Sequence, residues 1–165
     1  MGIRILITGG TFDKHYDAIR GVLAFKDTHL PEILKQANID VPVAIEINQL
    51  IDSLDMQEEN RAGILEACRR SPEDRILITH GTDTMAETAA WIGRAGLAKT
   101  VVLTGAMVPY AFGGSDALFN LGCAFSAVQL LPQGCYLTMN GRVFPWNRVR
   151  KNRVRGVFEE TPENG

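Results

Sequence analysis

Five short, unbroken apolar runs punctuate the chain at residues 3–7, 41–47, 76–79, 100–104 and 135–139. Most are rich in Val, Ile and Leu and do not alternate with polar residues, as strands buried on both faces should read. The run at 41–47 alternates, with Val43, Ile45 and Ile47 set against Ala44 and Glu46, which suits an edge strand. Segments with helical period separate the runs. Residues 28–37 place Leu30, Ile33, Leu34 and Ala37 on one stripe, with Pro31 in the first turn where its missing N–H is harmless. Residues 55–70 open on Asp55-x-x-Glu58 and close on Arg69-Arg70, acid first and base last, as a helix dipole prefers. Residues 84–94 begin with Thr84-x-x-Glu87, a capping-box pattern. Residues 115–131 are apolar on most sides through Leu118, Phe119, Leu121, Phe125, Val128 and Leu131, which predicts a helix buried against a sheet.

Strand and helix thus alternate through the chain, which predicts an α/β fold: a three-layer parallel sheet with helices on both faces. About five strands fit the flavodoxin-like order 2-1-3-4-5, whose ligands sit at the carboxyl ends of strands, at the switch point between strands 1 and 3. The 165 residues, 45% hydrophobic, suffice for one domain spanning 1–165. A net charge of −2 gives no reason to expect nucleic acid or a membrane as partner. No apolar run approaches the roughly 20 residues a membrane helix needs. The start, Met1-Gly2-Ile3-Arg4, shows no leader, and Leu6 breaks the myristoylation pattern at the position where Ser or Thr belongs. Cys68, Cys123 and Cys135 are odd in number, far apart and in apolar surroundings, which reads as buried thiols in a cytoplasmic protein. No pair has metal-ligand spacing, so no metal or organic cofactor is expected.

Two loops should meet at the switch point. Thr8-Gly9-Gly10-Thr11 follows the first strand and Thr79-His80-Gly81-Thr82-Asp83-Thr84 follows the third, so Thr11, Thr82 and Asp83 should face one crevice. Paired glycines let a backbone approach a ligand, and N–H groups where strand gives way to helix can hold an oxyanion. Each loop alone also reads as a plain turn with a helix cap, and His80 alone as a hydrogen-bonded structural residue. The first loop lacks the spacing of a phosphate loop and the third Gly of a dinucleotide fingerprint.

Together the two loops resemble the signature stretches of bacterial-type L-asparaginases, through Ile7-Thr8-Gly9-Gly10-Thr11 and Ile78-Thr79-His80-Gly81-Thr82-Asp83-Thr84-Met85. Asp52-Ser53-Leu54-Asp55-Met56, Gly105-Ala106-Met107, Phe119-Asn120-Leu121 and Met139-Asn140 with Lys151 eleven residues later are similar to further family segments. The resemblance covers the family's N-terminal domain and leaves its C-terminal domain unmatched. It implies hydrolysis of L-asparagine to aspartate and ammonia by threonine chemistry. It further implies Thr11 as nucleophile, Tyr16 as its activating tyrosine, and Thr82, Asp83 and Lys151 as a second hydroxyl–carboxylate–ammonium group. Ser53 is implied to hold the substrate α-carboxylate and Asp83 its α-ammonium, with Gly10, Leu54, Gly81 and Ala106 lining the substrate.

Amide hydrolysis needs these types of group. The amide is a poor electrophile and ammonia a poor leaving group, so a nucleophile, an oxyanion site and a proton donor are all required. Lys151 near Thr82 can supply the push if burial and the surrounding arginines (Arg142, Arg148, Arg150, Arg153, Arg155) depress its pKa. Leu54 replaces a family glutamine, and the family's second-domain glutamate has no counterpart here. Asp13, Asp17 and Asp27 are the candidate substitutes. Two other readings stay open: a glutamine amidase that feeds ammonia to a partner, and an amino-acid-binding module. A homodimer or higher homo-oligomer is expected, with Phe144-Pro145-Trp146 as the candidate contact.

Overall fold

The apolar runs are continuous because each feeds two cores at once. The computed structural model describes residues 2–162. In chain order the elements are β1 (Ile3–Gly9), a single 3-10 turn (Thr11–Asp13), β2 (His15–Asp17), β3 (Val22–Ala24), α1 (Leu30–Gln36), β4 (Val43–Ile51) and α2 (Glu58–Arg70). There follow β5 (Arg75–Thr79), α3 (Met85–Arg94), β6 (Thr100–Thr104), α4 (Ala117–Leu130), β7 (Gly134–Met139), β8 (Arg142–Pro145), β9 (Val149–Asn152) and β10 (Val157–Glu160). Leu6, Ile76, Ile78, Val101 and Leu103 point to one face and pack with Ile64 and Cys68 of α2 and Met85, Ala89 and Ile92 of α3. Ile3, Ile5, Ile7, Leu77 and Val102 point to the other face, against Leu30 and Ile33 of α1 and Leu121, Phe125 and Val128 of α4. A strand with helices on both sides has no polar face, hence no alternation.

The main sheet runs β4-β1-β5-β6-β7-β8, the first five parallel and β8 antiparallel to β7. The parallel part is the expected flavodoxin-like order. The alternating run is the edge strand β4, extended to Ile51, and its Glu46 pairs with Arg4 and Arg70.

Several local expectations are corrected. α2 begins at Glu58, three residues after Asp55, with a first-turn box built from Gln57 and Asn60. The Thr84–Glu87 box does not form at α3: the Thr84 hydroxyl donates to the Ser53 carbonyl at 2.8 Å, and Glu87 accepts from the buried Arg61 at 3.2 Å. At Thr84 and Glu87 tertiary partners outcompete a weak local cap. On α4, Leu118 and Phe119 are 46% and 62% exposed, because only one stripe of this largely apolar helix meets the sheet. Phe144 is fully buried, and Trp146, partly buried, lies against Gly93 of α3, so Phe144 belongs to the core. Of the thiols, Cys68 and Cys135 are buried and Cys123 is half-buried.

Two short hairpins had no sequence signature. β2 and β3 pair antiparallel after the first loop, and β9 and β10 pair antiparallel after the sheet. Strands of three and four residues such as His15–Asp17 and Val149–Asn152 are too short to show a period.

Candidate active site

The carboxyl ends of β1, β4, β5 and β6 converge, and glycine lets their loops interlock. Gly10 has φ +84°, and a Cβ there would fall against the Gly81 backbone. A Cβ on Gly81 would stand 2.6 Å from the Ser53 Cβ. Thus the segments carrying Thr11, Ser53 and Thr82 are stacked backbone to backbone. The glycines serve this loop-to-loop approach, a closer use than the exposure to ligand expected from sequence.

Lys151 reaches this cluster from β9. Its Nζ donates to Thr82 Oγ1 at 2.8 Å and to Asp83 Oδ1 at 2.9 Å, and its side chain is only 10% exposed. The aim is set from below. Val149 and Phe158, on the two strands of the β9–β10 hairpin, are buried in the core. The Phe158 N–H donates to Asn140 Oδ1 at 2.9 Å, and Lys151 pairs across the hairpin with Phe158. The hairpin therefore fixes the lysine stem before the ammonium finds its partners.

The arginines around the lysine are committed elsewhere. Arg142 and Arg148 pair with Glu160, and Arg150 with Glu159. Arg153 donates to the Asp83 carbonyl at 3.2 Å, so it buttresses the loop. Four of the five arginines named around Lys151 thus already have protein partners.

Around the triad, Ser53 is buried and its Oγ accepts the Thr84 N–H at 3.3 Å. Thr82 Oγ1 also donates to Met107 Sδ at 3.6 Å, next to the buried Ala106. Asp116 shapes that loop by accepting the Met107 and Val108 N–H groups at 3.0 Å, a role with no signal in the sequence. His80 is buried between the Gly81 carbonyl and Thr88 Oγ1, each at 2.8 Å, and burial lowers its pKa to about 4.

Other expected residues stand apart. Leu54 is 61% exposed on the rim. Tyr16 projects from β2 with 59% exposure, and the Thr11 hydroxyl has no hydrogen-bond partner among the described residues. The three substitute acids are each engaged elsewhere. Buried Asp13 accepts from Thr28 Oγ1 and from the His29 N–H at 2.9 Å, and desolvation raises its pKa. Asp17 holds Arg20, which lowers its pKa, and Asp27 lies 3.2 Å from His15 Nε2. Unforeseen is a Lys14–Asp52 pair at 2.6 Å, which ties the Thr11 segment to the Ser53 segment.

Among the described residues no group of three or more His, Cys, Asp or Glu is arranged to hold a metal ion, and no helix is long and apolar enough to cross a membrane. A cavity of about 290 Å³ between α1 and α4 is lined by Ile33, Leu34, Leu121, Phe125 and neighbours, and carries no titratable group. The polar groups converge elsewhere, at the strand ends.

Residues 2–159 match the family described as asparaginase, N-terminal. The chain belongs to the asparaginase family. It is 31% identical over 164 residues to L-asparaginase 1 of Escherichia coli K12, covering 93% of this chain and 48% of that protein. It is 37% identical over 133 residues to a component of the glutamyl-tRNA(Gln) amidotransferase of Thermococcus kodakarensis, covering 74% of this chain and 29% of that one. Its fold superposes on the thermostable L-asparaginase of Thermococcus kodakarensis with a TM-score of 0.84 at 30% identity, over 99% of this chain and 52% of that one. This asparaginase-family chain thus spans about half the length of the asparaginases it matches.

Proposed function

We propose that this chain is an amidohydrolase that releases ammonia from L-asparagine. The observation that carries the reading is the Lys151 ammonium held at 2.8 Å from Thr82 Oγ1 and 2.9 Å from Asp83 Oδ1, beside the Thr11 segment. A cation next to a hydroxyl lowers the cost of removing its proton, and the carboxylate keeps that cation in place. In this reading Thr11 Oγ attacks the side-chain amide carbon, and its proton passes to the departing nitrogen through a relay that includes Tyr16. Ammonia leaves from the tetrahedral intermediate. Water, oriented by Thr82 and Lys151, then hydrolyses the ester to free Thr11 and L-aspartate. Ser53 and Asp83 hold the α-carboxylate and α-ammonium of the substrate, with Gly10, Gly81 and Ala106 lining it. The chemistry needs no cofactor, so activity should survive dialysis against a chelator.

Selectivity follows from anchoring. One methylene by itself discriminates only about 10- to 200-fold. The Leu54 side chain, exposed on the rim beside buried Ser53, can make no hydrogen bond to the α-amino acid end of the substrate. A hydrogen bond to a charged group is worth about 1.5–3 kcal/mol, so its loss weakens the anchoring. The expected outcome is a KM for asparagine in the millimolar range with little glutaminase activity. Steady-state kinetics on both amides test it, and comparable kcat/KM values would show the anchoring argument to be mistaken.

The match to an amidotransferase component favours a second reading, in which ammonia is released for a partner. Ammonia release by the purified chain alone separates the two. We further propose a cytoplasmic homo-oligomer: Leu118, Phe119 and Leu130 leave α4 with exposed apolar side chains that a second copy can cover, and sedimentation at micromolar concentration reads it.

A further inference from the structure

Among the described residues His80 is the one fully buried histidine, and the chemistry above makes no use of it. Both of its ring nitrogens are nonetheless occupied. The Gly81 carbonyl can only accept, so the Nδ1 that faces it at 2.8 Å carries the proton. The other nitrogen, Nε2, lies 2.8 Å from Thr88 Oγ1 on α3. Burial keeps the ring neutral at ordinary pH, so Nε2 is a lone pair and the Thr88 hydroxyl donates to it. The imidazole is therefore clamped from α3 and donates in one fixed direction, to Gly81.

That direction matters because of the peptide that follows. A trans peptide is planar, with its C=O and N–H pointing opposite ways. Holding the Gly81 carbonyl toward the buried imidazole turns the Thr82 N–H away from it. Among the described residues that N–H donates to no protein acceptor. Glycine is also the residue whose peptide plane rotates most freely, so the plane needs an external hold.

We infer that His80 is a positioning residue that sets the Gly81–Thr82 peptide plane, so that the Thr82 N–H faces the reacting amide before chemistry begins. The inference rests on the amidohydrolase reading. Its physical content is preorganisation: a donor already aimed where negative charge develops stabilises the transition state without reorganising. His80 itself exchanges no proton with the substrate.

The test compares two replacements. His80→Asn places an amide donor about where Nδ1 stands, whereas His80→Leu fills similar space with no donor. His80→Leu is expected to lower kcat about five- to tenfold, the weight of one hydrogen bond, with KM within about twofold. His80→Asn should stay within about twofold of the parent. Nitrogen-15 NMR should show Nδ1 protonated in the parent, and a Thr82 amide shift displaced in His80→Leu and restored in His80→Asn. The NMR arm needs no turnover, so it decides the inference even if the chain releases no ammonia. Parent-like kcat in His80→Leu, a neutral ring protonated on Nε2, or a Thr82 amide unmoved in His80→Leu would overturn it.

Discussion

The wall of the crevice built from Thr82, Asp83 and Lys151 differs from the wall built from Thr11 and the β2–β3 hairpin in how its side chains are held. On the first wall the Lys151 ammonium binds Thr82 Oγ1 at 2.8 Å and Asp83 Oδ1 at 2.9 Å, and the lysine is 10% exposed. Val149 and Phe158 anchor its hairpin in the core. On the second wall the Thr11 hydroxyl has no partner among the described residues, Tyr16 is 59% exposed, and Val22 and Leu23 are 47% and 42% exposed. That hairpin is held at its margins by the Lys14–Asp52 pair and, within its own turn, by Arg20–Asp17. Partly exposed pairs of this kind are worth little each. For the proposed reaction, this contrast implies that the lysine wall is preorganised while the Thr11 wall is completed when substrate arrives, which is where low local stability is useful.

The largest expected effect tests the preorganised wall. Lys151→Met keeps the stem and removes the charge, and kcat should fall about 10³-fold. Thr82→Ala and Thr11→Ala should each cost at least about 10²-fold, with far-UV circular dichroism unchanged because the loops lie outside the core. Near-parent turnover in any of the three would mean that the residue's assigned role is wrong.

The next effect tests the incomplete wall. Tyr16→Phe should lower kcat about 10²-fold if its hydroxyl joins the proton relay. Because the side chain is mostly exposed, Tm should not move. A variant that keeps full turnover would remove the hairpin from the chemistry and leave the lysine wall alone.

The smallest effect tests the latch between the walls. Lys14 holds the Asp52 carboxyl below its ordinary pKa, chiefly by their hydrogen bond. A depressed native pKa stabilises the fold above the unfolded value of about 3.9 and stops doing so as pH falls through the native value. With Asp52 about one-third exposed, the contribution is on the order of 0.5 kcal/mol. Asp52→Asn should therefore lower Tm by about 1–2 °C at pH 7, with the difference from the parent shrinking as pH falls below about 3.9. A Tm gap that persists at low pH would show that the pair is not what ties the segments.

Much of the candidate site is legible in the sequence because it sits at strand ends whose order the apolar runs dictate. Gly9-Gly10-Thr11 and Gly81-Thr82-Asp83 face each other as a consequence of β1 and β5 being neighbours. The cap patterns mislead because Thr84 and Glu87 find stronger partners, Ser53 and Arg61, that are 31 and 26 residues away. The three acids on the first loop are indistinguishable by position, and only packing shows that Thr28, His29, Arg20 and His15 engage them.

Sheet order and the position of the crevice were already written in the apolar runs, because burial on both faces leaves a period-free signature that local chemistry cannot disguise. Which polar groups meet depends instead on the folded packing. The contact of Lys151 with Thr82 joins residues 69 apart, and it depends on a detour through β7, β8, β9 and β10 anchored by Phe158. Polar partners are chosen by geometry to within a few tenths of an ångström, and that precision is a property of the packed core beneath them.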